Sequence, residues 1–115
     1  MSDIHRIHPA AQWSDAVVHN GVVYFVEVPE SGADITSQTL ALLAQAERTL
    51  ALAGSHKSRL LMATVYLKDM ADRADFNAAW QTWLPEGCAP ARACVRAEMA
   101  SPEYRVEIAF TAAVG

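Results

Sequence analysis

The residues best suited to chemistry lie in two stretches of alternating sequence near the end of the chain. One is Pro90-Ala91-Arg92-Ala93-Cys94-Val95-Arg96, and the other is Tyr104-Arg105-Val106-Glu107-Ile108-Ala109-Phe110. The planar guanidinium of Arg92 could bind a carboxylate through two parallel hydrogen bonds. Glu107 could accept a proton from water and return it, and Cys94 adds a thiol. A cation, a thiol and a carboxylate in two such stretches make this the first place to look for chemistry.

Both stretches have the two-residue period of a β-strand. Residues 97–103 between them include Ser101-Pro102 and are few enough for a hairpin, so we predict that the two strands are antiparallel neighbours. The charged face would carry Arg92, Cys94, Arg96, Arg105 and Glu107, and the apolar face would carry Ala91, Ala93, Val95, Val106, Ile108 and Phe110. A strand pair that only shows a charged face to water is the simpler interpretation, and it stays open.

The size and charge of the chain limit its function. It has 115 residues, of which 52% are hydrophobic, so we predict one domain over residues 1–115 with a proper core. Its formal net charge is −4, and its nine lysines and arginines are scattered. Because nucleic-acid-binding proteins concentrate positive charge on one face, we expect no nucleic acid partner.

Several kinds of site and location are disfavoured by the sequence. Residues 1–6 lack the apolar segment of a signal peptide, and no apolar run approaches the ~20 residues of a membrane span, so we expect a cytoplasmic protein. Cys88 and Cys94 lack Cys-x-x-Cys spacing, which favours free thiols. We expect no metal site, because the four histidines show no ligand spacing. They are His5, His8, His19 and His56.

The first half of the chain predicts a hairpin followed by a helix. The turn sequence Asn20-Gly21 separates two apolar runs, residues 16–19 and 22–28, which is a strong hairpin signal. After Asp34 the spacing becomes helical, and Gly54 should end that helix. The predicted stripe is Leu40, Leu43, Glu47, Leu50 and Ala53.

The second half predicts a buried strand and a second helix. Residues 60–67 form a nearly continuous apolar run, as expected for a strand buried on both faces. Asp72 can cap the start of the next helix, and Pro85-Glu86-Gly87 should end it. Its apolar stripe is Phe76, Ala79, Trp80 and Trp83, and the tryptophans are better explained as core anchors than as ligand platforms.

The predicted order is β-β-α-β-α-β-β, an α+β sandwich with two helices on one face of a mixed sheet. Two helices cover only one face, whereas residues 22–28 and 60–67 are apolar on both. The uncovered face therefore needs a partner, and a closed symmetric oligomer supplies one most simply. Arg92, Cys94 and Glu107 should lie on that uncovered side, beside a subunit boundary.

A set of short motifs resembles one known family. In order they are Gln38-Thr39, Leu50 with Ala53-Gly54, Val65-Tyr66-Leu67-Lys68-Asp69, Asn77 with Trp80, Pro90-Ala91-Arg92 with Cys94-Val95, and Val106-Glu107-Ile108. From Trp13 to Val114 the chain resembles the reactive-intermediate imine deaminase family, called RidA, YjgF or RutC-related. The start Trp13-Ser14-Asp15 and the later motif Val28-Pro29-Glu30 resemble its short YoaB-like branch.

The resemblance implies a chorismate-mutase-like fold and a homotrimer with clefts between subunits. It implies hydrolysis of enamines and imines such as 2-aminoacrylate, as by a 2-iminobutanoate/2-iminopropanoate deaminase, to 2-keto acids and ammonia without a cofactor. The ligand would be a small carboxylate-bearing imine or keto acid. By the same resemblance, Arg92 would hold the substrate carboxylate, Glu107 would orient or activate water, and Cys94 and Trp13 would line the pocket.

Two departures from the family pattern keep other functions open. The family commonly has Ser-Gly or Thr-Gly where this chain has Val26-Glu27, and Trp13 replaces a tyrosine. Glu27 is either a second pocket carboxylate or an ordinary rim residue. The alternative function is a regulatory or binding trimer that holds small carboxylates without turnover. Ribonuclease activity, sometimes attached to the family, suits this acidic chain least, and covalent catalysis by Cys94 has no evident activating histidine.

Overall fold

Over residues 3–115, six strands form one mixed sheet, and two helices lie on one of its faces. The computed structural model describes residues 3–115. The strands are β1 His5–Pro9, β2 Ser14–His19, β3 Val22–Glu27, β4 Leu60–Leu67, β5 Ala91–Arg96 and β6 Val106–Ala113. Helix α1 is Ile35–Leu52 and helix α2 is Arg73–Trp83, and short 3-10 helices, Lys57–Arg59 and Met70–Asp72, precede β4 and α2. The predicted α+β class is confirmed, and β1 is an additional strand that the sequence did not reveal.

The first hairpin forms around the predicted turn. Asn20 and Gly21 have φ angles of 51° and 76°, the left-handed values that a two-residue hairpin turn requires. His19 therefore pairs with Val22 as β2 returns into β3. On its other side β2 pairs antiparallel with β1.

Helix α1 has well-formed ends. The Asp34 carboxylate accepts a hydrogen bond from the Ser37 backbone N–H at 2.8 Å, and the Ser37 hydroxyl accepts one from the Asp34 N–H at 3.2 Å. This reciprocal cap satisfies donors that the first turn leaves free. At the other end Gly54 has φ +78°, and the Ser55 N–H donates to the Leu50 carbonyl at 2.8 Å. The predicted end at Gly54 is confirmed.

The hydrophobic core lies between the helices and the covered face of the sheet. In α2, Phe76 and Trp80 are 0% and 6% exposed, so the predicted stripe of that helix is confirmed. In α1 the stripe was partly misplaced, because Leu40 is 53% exposed. The buried row is Ile35, Gln38, Thr39, Leu42, Leu43, Ala46 and Leu50. Asp72 precedes α2 as predicted, but its carboxylate accepts a hydrogen bond from Arg105 instead of capping the helix.

The order of the strands is β1-β2-β3-β6-β4-β5, so the predicted β5–β6 hairpin is wrong. β4 lies between them, parallel to β5 and antiparallel to β6. The connection through residues 97–105 therefore crosses the end of β4. A central position for β4 buries its apolar residues better than a position at the edge of the sheet would.

The intervening strand also corrects the predicted faces. Arg92 and Cys94 pair with Ala63 and Val65, which are buried beneath the helices, so both side chains belong to the covered face. Glu107 pairs with Tyr66 on the opposite, open face. The prediction that Arg92, Cys94 and Glu107 share the uncovered side is wrong. Likewise, Ala91, Ala93 and Val95 share the face of Glu107, and Val106, Ile108 and Phe110 share that of Arg92.

The open face of the sheet exposes apolar side chains. Tyr24 and Val26 of β3 are 47% and 54% exposed, and Met62 of β4 is 39% exposed. The expectation that both faces of residues 60–67 are buried is therefore not met within one chain. The predicted uncovered apolar face is present, and its partner stays a prediction. Among residues 3–115, neither helix combines the length and apolar character needed to cross a bilayer.

Candidate functional site

Arg92 lies on an aromatic shelf at the edge of the sheet. β5 is an edge strand that begins just after Pro90, and it sets the Arg92 side chain against α2. The centre of its guanidinium is 5.6 Å from the Phe76 ring centroid and 6.0 Å from that of Trp80. Such stacking fixes the plane of a guanidinium while leaving its N–H groups free to donate.

The Arg92 hollow is an open depression of about 770 Å³. Its lining includes Asn77, Trp80, Gln81, Leu84 and Arg92. Among residues 3–115, Arg92 has no ion-pair partner, so its charge is not neutralised by a neighbouring carboxylate. A half-buried, unpaired guanidinium with a fixed plane suits the capture of a small carboxylate.

Cys94 lies two residues along β5, on the same side of the sheet as Arg92. It is half-buried, packs against the hydrophobic core and is a free thiol, as is Cys88. The predicted free thiols are therefore found in the structure. Within residues 3–115, Cys94 is not among the residues that line the depression beside Arg92, so its predicted role in lining the pocket stays a prediction.

Glu107 lies in a separate groove on the open face. This open-face groove has a volume of about 810 Å³, and its walls include Trp13, Tyr24, Val26, Tyr104 and Glu107. Trp13, between β1 and β2, is 67% exposed. The structure therefore brings two of the predicted site residues, Trp13 and Glu107, to one groove. A carboxylate among aromatic and aliphatic walls can position water beside a small organic ligand.

The four predicted site residues thus form two separate groups in one chain. Arg92 and Cys94 lie on the covered side, and Glu107 and Trp13 lie on the open side. A ligand of three or four carbons cannot contact both groups of the same chain through the thickness of a sheet. Among residues 3–115, no group of three or more histidine, cysteine, aspartate or glutamate side chains is arranged to hold a metal ion.

Comparison with known proteins agrees with this fold. A family model described as Endoribonuclease L-PSP matches residues 3–114. RutC family protein YoaB of Escherichia coli strain K12 is 46% identical over 112 residues, which cover 96% of this chain and 98% of YoaB. The chain belongs to the YjgF/RutC family. The family predicted from the sequence motifs is therefore confirmed.

Other YjgF/RutC relatives support the assignment over the full length. A RutC family protein of Haemophilus ducreyi is 41% identical over 113 residues, covering 96% of this chain and 97% of the relative. The crystal structure of NMB1025 from Neisseria meningitidis, a member of the YjgF protein family, superposes with a TM-score of 0.96 at 44% identity. That match covers 98% of this chain and 96% of NMB1025.

In this YjgF/RutC chain, Glu27 occupies a different environment from Glu107. It is 9% exposed, and its carboxylate accepts a hydrogen bond from the Thr49 hydroxyl at 2.6 Å. The Gln45 amide donates to its other oxygen at 3.5 Å. Burial raises the pKa of Glu27, and the Thr49 hydrogen bond partly opposes that effect. Glu27 therefore joins β3 to α1, and its carboxylate is engaged there.

Several lining residues of this YjgF/RutC protein were missed by the analysis of the sequence. Tyr24 and Tyr104 line the groove of Glu107, and Asn77 lines the hollow of Arg92 with a buried carbonyl oxygen that has no partner among residues 3–115. Tyr104 could have been found, because it belongs to the same alternating stretch as Glu107. The shelf beneath Arg92 had no local signal, since α2 and β5 meet only in the folded protein.

Proposed function

We propose that this protein hydrolyses small enamine and imine carboxylates to 2-keto acids and ammonia, without a cofactor, in sites shared between copies of the chain. The observation that carries the proposal is the Arg92 guanidinium, which has no ion-pair partner among residues 3–115 and is held over Phe76 and Trp80 beside an open depression. Membership of the YjgF/RutC family supports the assignment of that cation to a substrate carboxylate.

The separation of Arg92 from Glu107 supports a site built from two chains. Within one chain the sheet lies between them, so neither residue can complete the other's site. β5 is an edge strand, and its Arg92 hollow can therefore abut the open-face groove of a neighbouring copy. The exposed Tyr24 and Val26 in that groove give such a contact apolar surface to bury. A closed homotrimer would form three equivalent sites.

The reaction follows from the two residue types. Arg92 binds the substrate carboxylate through two hydrogen bonds, which orients the adjacent C=N carbon. An enamine first shifts a proton to its terminal carbon and becomes an imine. Glu107 accepts a proton from water while the water oxygen adds to that carbon, and passes the proton to the imine nitrogen, which gives a carbinolamine. Glu107 then accepts the hydroxyl proton of the carbinolamine and returns it to the amino nitrogen, so that the C–N bond breaks and a C=O bond forms as ammonia leaves.

A direct test generates 2-aminoacrylate from serine with a pyridoxal-phosphate lyase and measures the release of pyruvate. Addition of the protein should accelerate pyruvate release in proportion to its concentration. An unchanged rate, together with saturable binding of pyruvate, would favour the alternative function of a regulatory trimer that binds small carboxylates. The specific observation on that side is Val26, a bulky side chain in the groove at a position that is commonly small and polar in the family.

A mixing experiment tests whether the site is shared. Arg92→Lys and Glu107→Gln proteins should each be nearly inactive, because every site in each oligomer lacks one group. When equal amounts are unfolded and refolded together, about a quarter of the sites should contain both native residues and recover activity. Each variant refolded alone is the control. Mixtures that stay as inactive as their components would show that Arg92 and Glu107 do not act across a subunit boundary.

The description of the matching family model raises endoribonuclease activity as a competing function. The net charge of −4 disfavours it, because binding of an RNA backbone depends on clustered cations. A ribonuclease would cleave single-stranded RNA with a strong dependence on salt concentration. The deaminase assay and an RNA cleavage assay on one preparation therefore separate the two functions.

A further inference from the structure

Three basic side chains meet at one end of the sheet, away from the proposed reaction site. Leu67, the last residue of β4, pairs with Arg96 of β5 on one side and with Val106 of β6 on the other. The next backbone contact joins the Lys68 N–H to the Arg105 carbonyl at 3.1 Å. Three adjacent strands thus bring Lys68, Arg96 and Arg105 to the same end of the sheet. This is a third of the nine lysines and arginines in a chain of net charge −4, so positive charge is locally concentrated.

These cations surround a hollow of about 530 Å³ lined by Lys68, Asp69, Met70, Arg96 and Arg105. Two of them retain unused capacity for an anion. The Arg96 side chain is exposed and makes no hydrogen bond or ion pair within residues 3–115. The Lys68 ammonium donates at 2.7 Å to the carbonyl oxygen of Pro102, which is uncharged.

The acidic neighbours neutralise only part of this charge. Asp72 accepts one hydrogen bond from the Arg105 Nε–H at 2.9 Å, and the same carboxylate oxygen lies 2.8 Å from a terminal guanidinium nitrogen in an ion pair, so other Arg105 donors remain available. The Asp69 carboxylate accepts from the backbone N–H of Ala71 at 2.9 Å. Glu98 lies on the adjoining wall, together with Lys68 and Arg96. Within the hollow itself, three cations face one carboxylate, Asp69.

We propose that Lys68, Arg96 and Arg105 form a binding site for a phosphate group, either free or carried by a small metabolite. Neighbouring strands are about 4.8 Å apart, so the three donors approach from separate directions. A phosphate group carries nearly two negative charges and offers at least three acceptor oxygens that diverge in space. A planar carboxylate offers only two oxygens, and it matches this arrangement less well.

Occupation of this phosphate site should reach the open-face groove through one loop. Residues 98–102 are joined to residues 3–97 and 105–115 by a single hydrogen bond, from Lys68 to Pro102. Ala100 and Tyr104, in and beside this segment, line the groove that contains Glu107. A phosphate that draws the Lys68 ammonium toward itself removes the bond at Pro102, and residues 98–102 are then held only from Glu103 onward, where the Gln38 amide donates to the Glu103 carbonyl oxygen at 2.8 Å. Phosphate binding thereby changes the wall of the groove, and the site is regulatory.

The test is a titration with inorganic phosphate at constant ionic strength, followed by amide resonances of isotope-labelled protein. Saturable shifts are expected first at residues 68, 96 and 105, and with them at residues 100, 101, 103 and 104. Arg96→Ala should weaken phosphate binding about tenfold or more, since a charge-assisted bond is lost. Arg48→Ala, which removes an exposed, ion-paired arginine of α1, is the matched control and should bind phosphate as the native protein does.

Two further measurements identify the ligand and test whether the phosphate site is linked to the loop of residues 98–102. Phosphoserine binding more tightly than inorganic phosphate would assign the site to an organic phosphate, and equal affinities would assign it to the phosphate group alone. Lys68→Met should shift the resonances of residues 100–104 before any phosphate is added. The proposal is overturned by equal shifts with chloride, by preferential binding of succinate or a short single-stranded oligonucleotide, or by undisturbed loop resonances in Lys68→Met. None of these measurements depends on the deaminase assay.

Discussion

The two faces of the sheet contrast in how far one chain completes them. On the covered face, Phe25 and Phe110 stack with centroids 4.8 Å apart, and Trp80 stacks on Phe110 at 6.2 Å. On the open face, Tyr24 and Val26 alternate with Phe25 along β3 but remain about half exposed. The same strand therefore presents large apolar residues to both sides. The covered face stabilises the fold of the single chain, and the open face offers a surface for association.

Removal of a ring from the covered face should have the largest effect on stability. Phe76→Ala deletes a fully buried side chain and leaves a cavity, so we expect a loss of ~3–5 kcal/mol in the free energy of unfolding, measured by urea denaturation. Leu40→Ala, at an exposed position of α1, should change it by less than ~1 kcal/mol. If Phe76→Ala lost little free energy of unfolding but failed to bind keto acids, the assignment of this ring to the core would be wrong, and the ring would belong to the ligand site.

Substitutions of Arg92 and of Glu107 should have different effects on keto-acid affinity and turnover. Arg92→Lys keeps the charge but loses the paired donors, so both keto-acid affinity and turnover should fall. Glu107→Gln keeps the shape but removes the base, so turnover should fall ~100-fold or more while keto-acid affinity is retained. Calorimetric titration and the coupled assay measure these quantities. If Arg92 and Glu107 were instead a buried ion pair between chains, both variants would lose ~3–5 kcal/mol of stability, and that outcome would falsify the mechanism.

A charge on the open face should prevent association without unfolding the chain. Val26→Asp places a carboxylate on the apolar surface that the proposed oligomer buries, so the sedimenting mass should fall about threefold if the native form is a trimer. The Leu52→Asp control adds the same charge at a 60% exposed position on α1, and it should leave the mass unchanged. Native protein that already sediments as a stable monomer would remove the case for a shared site.

The smallest expected effect concerns pH and the covered face. Burial raises the pKa of Glu27, so the folded protein holds this proton more tightly than the unfolded chain does. The ionised carboxylate therefore lowers stability above its raised pKa, and this loss is relieved as the pH falls toward the ordinary value of 4.5. The Tm of Glu27→Gln minus the Tm of the native protein should therefore increase as the pH rises from 5 to 8. A difference in Tm that does not change with pH would contradict this account.

The sequence predicted elements that depend on local signals. The Asn20-Gly21 turn, the end of α1 at Gly54 and the apolar stripe of α2 were all correct, because backbone geometry and side-chain period over a few residues determine them. The family was also correct, since its motifs occur in order along most of the chain.

The pairing of the strands was harder to predict from the sequence, and it determines which of the predicted site residues share a face of the sheet. Residues 97–103 permit a hairpin, yet the apolar β4 enters between β5 and β6, where both of its edges are paired. Because β5 takes its register from β4, Arg92 turns toward α2 instead of sharing a face with Glu107. Burial of β4 inside the sheet outweighed the direct β5–β6 hairpin, and no local sequence pattern indicates which of the two arrangements is preferred.

The central position of β6 also has a consequence for synthesis of the chain. β6 pairs with β3 on one side and β4 on the other, although it is the last strand in the sequence. During translation, β3 and β4 therefore each expose an unpaired edge until residues 106–113 have left the ribosome. Exposed apolar edges favour association with other nascent chains. Ribosomes stalled shortly before Val106 should hold a protease-sensitive chain, and folding should follow only upon release of the final strand.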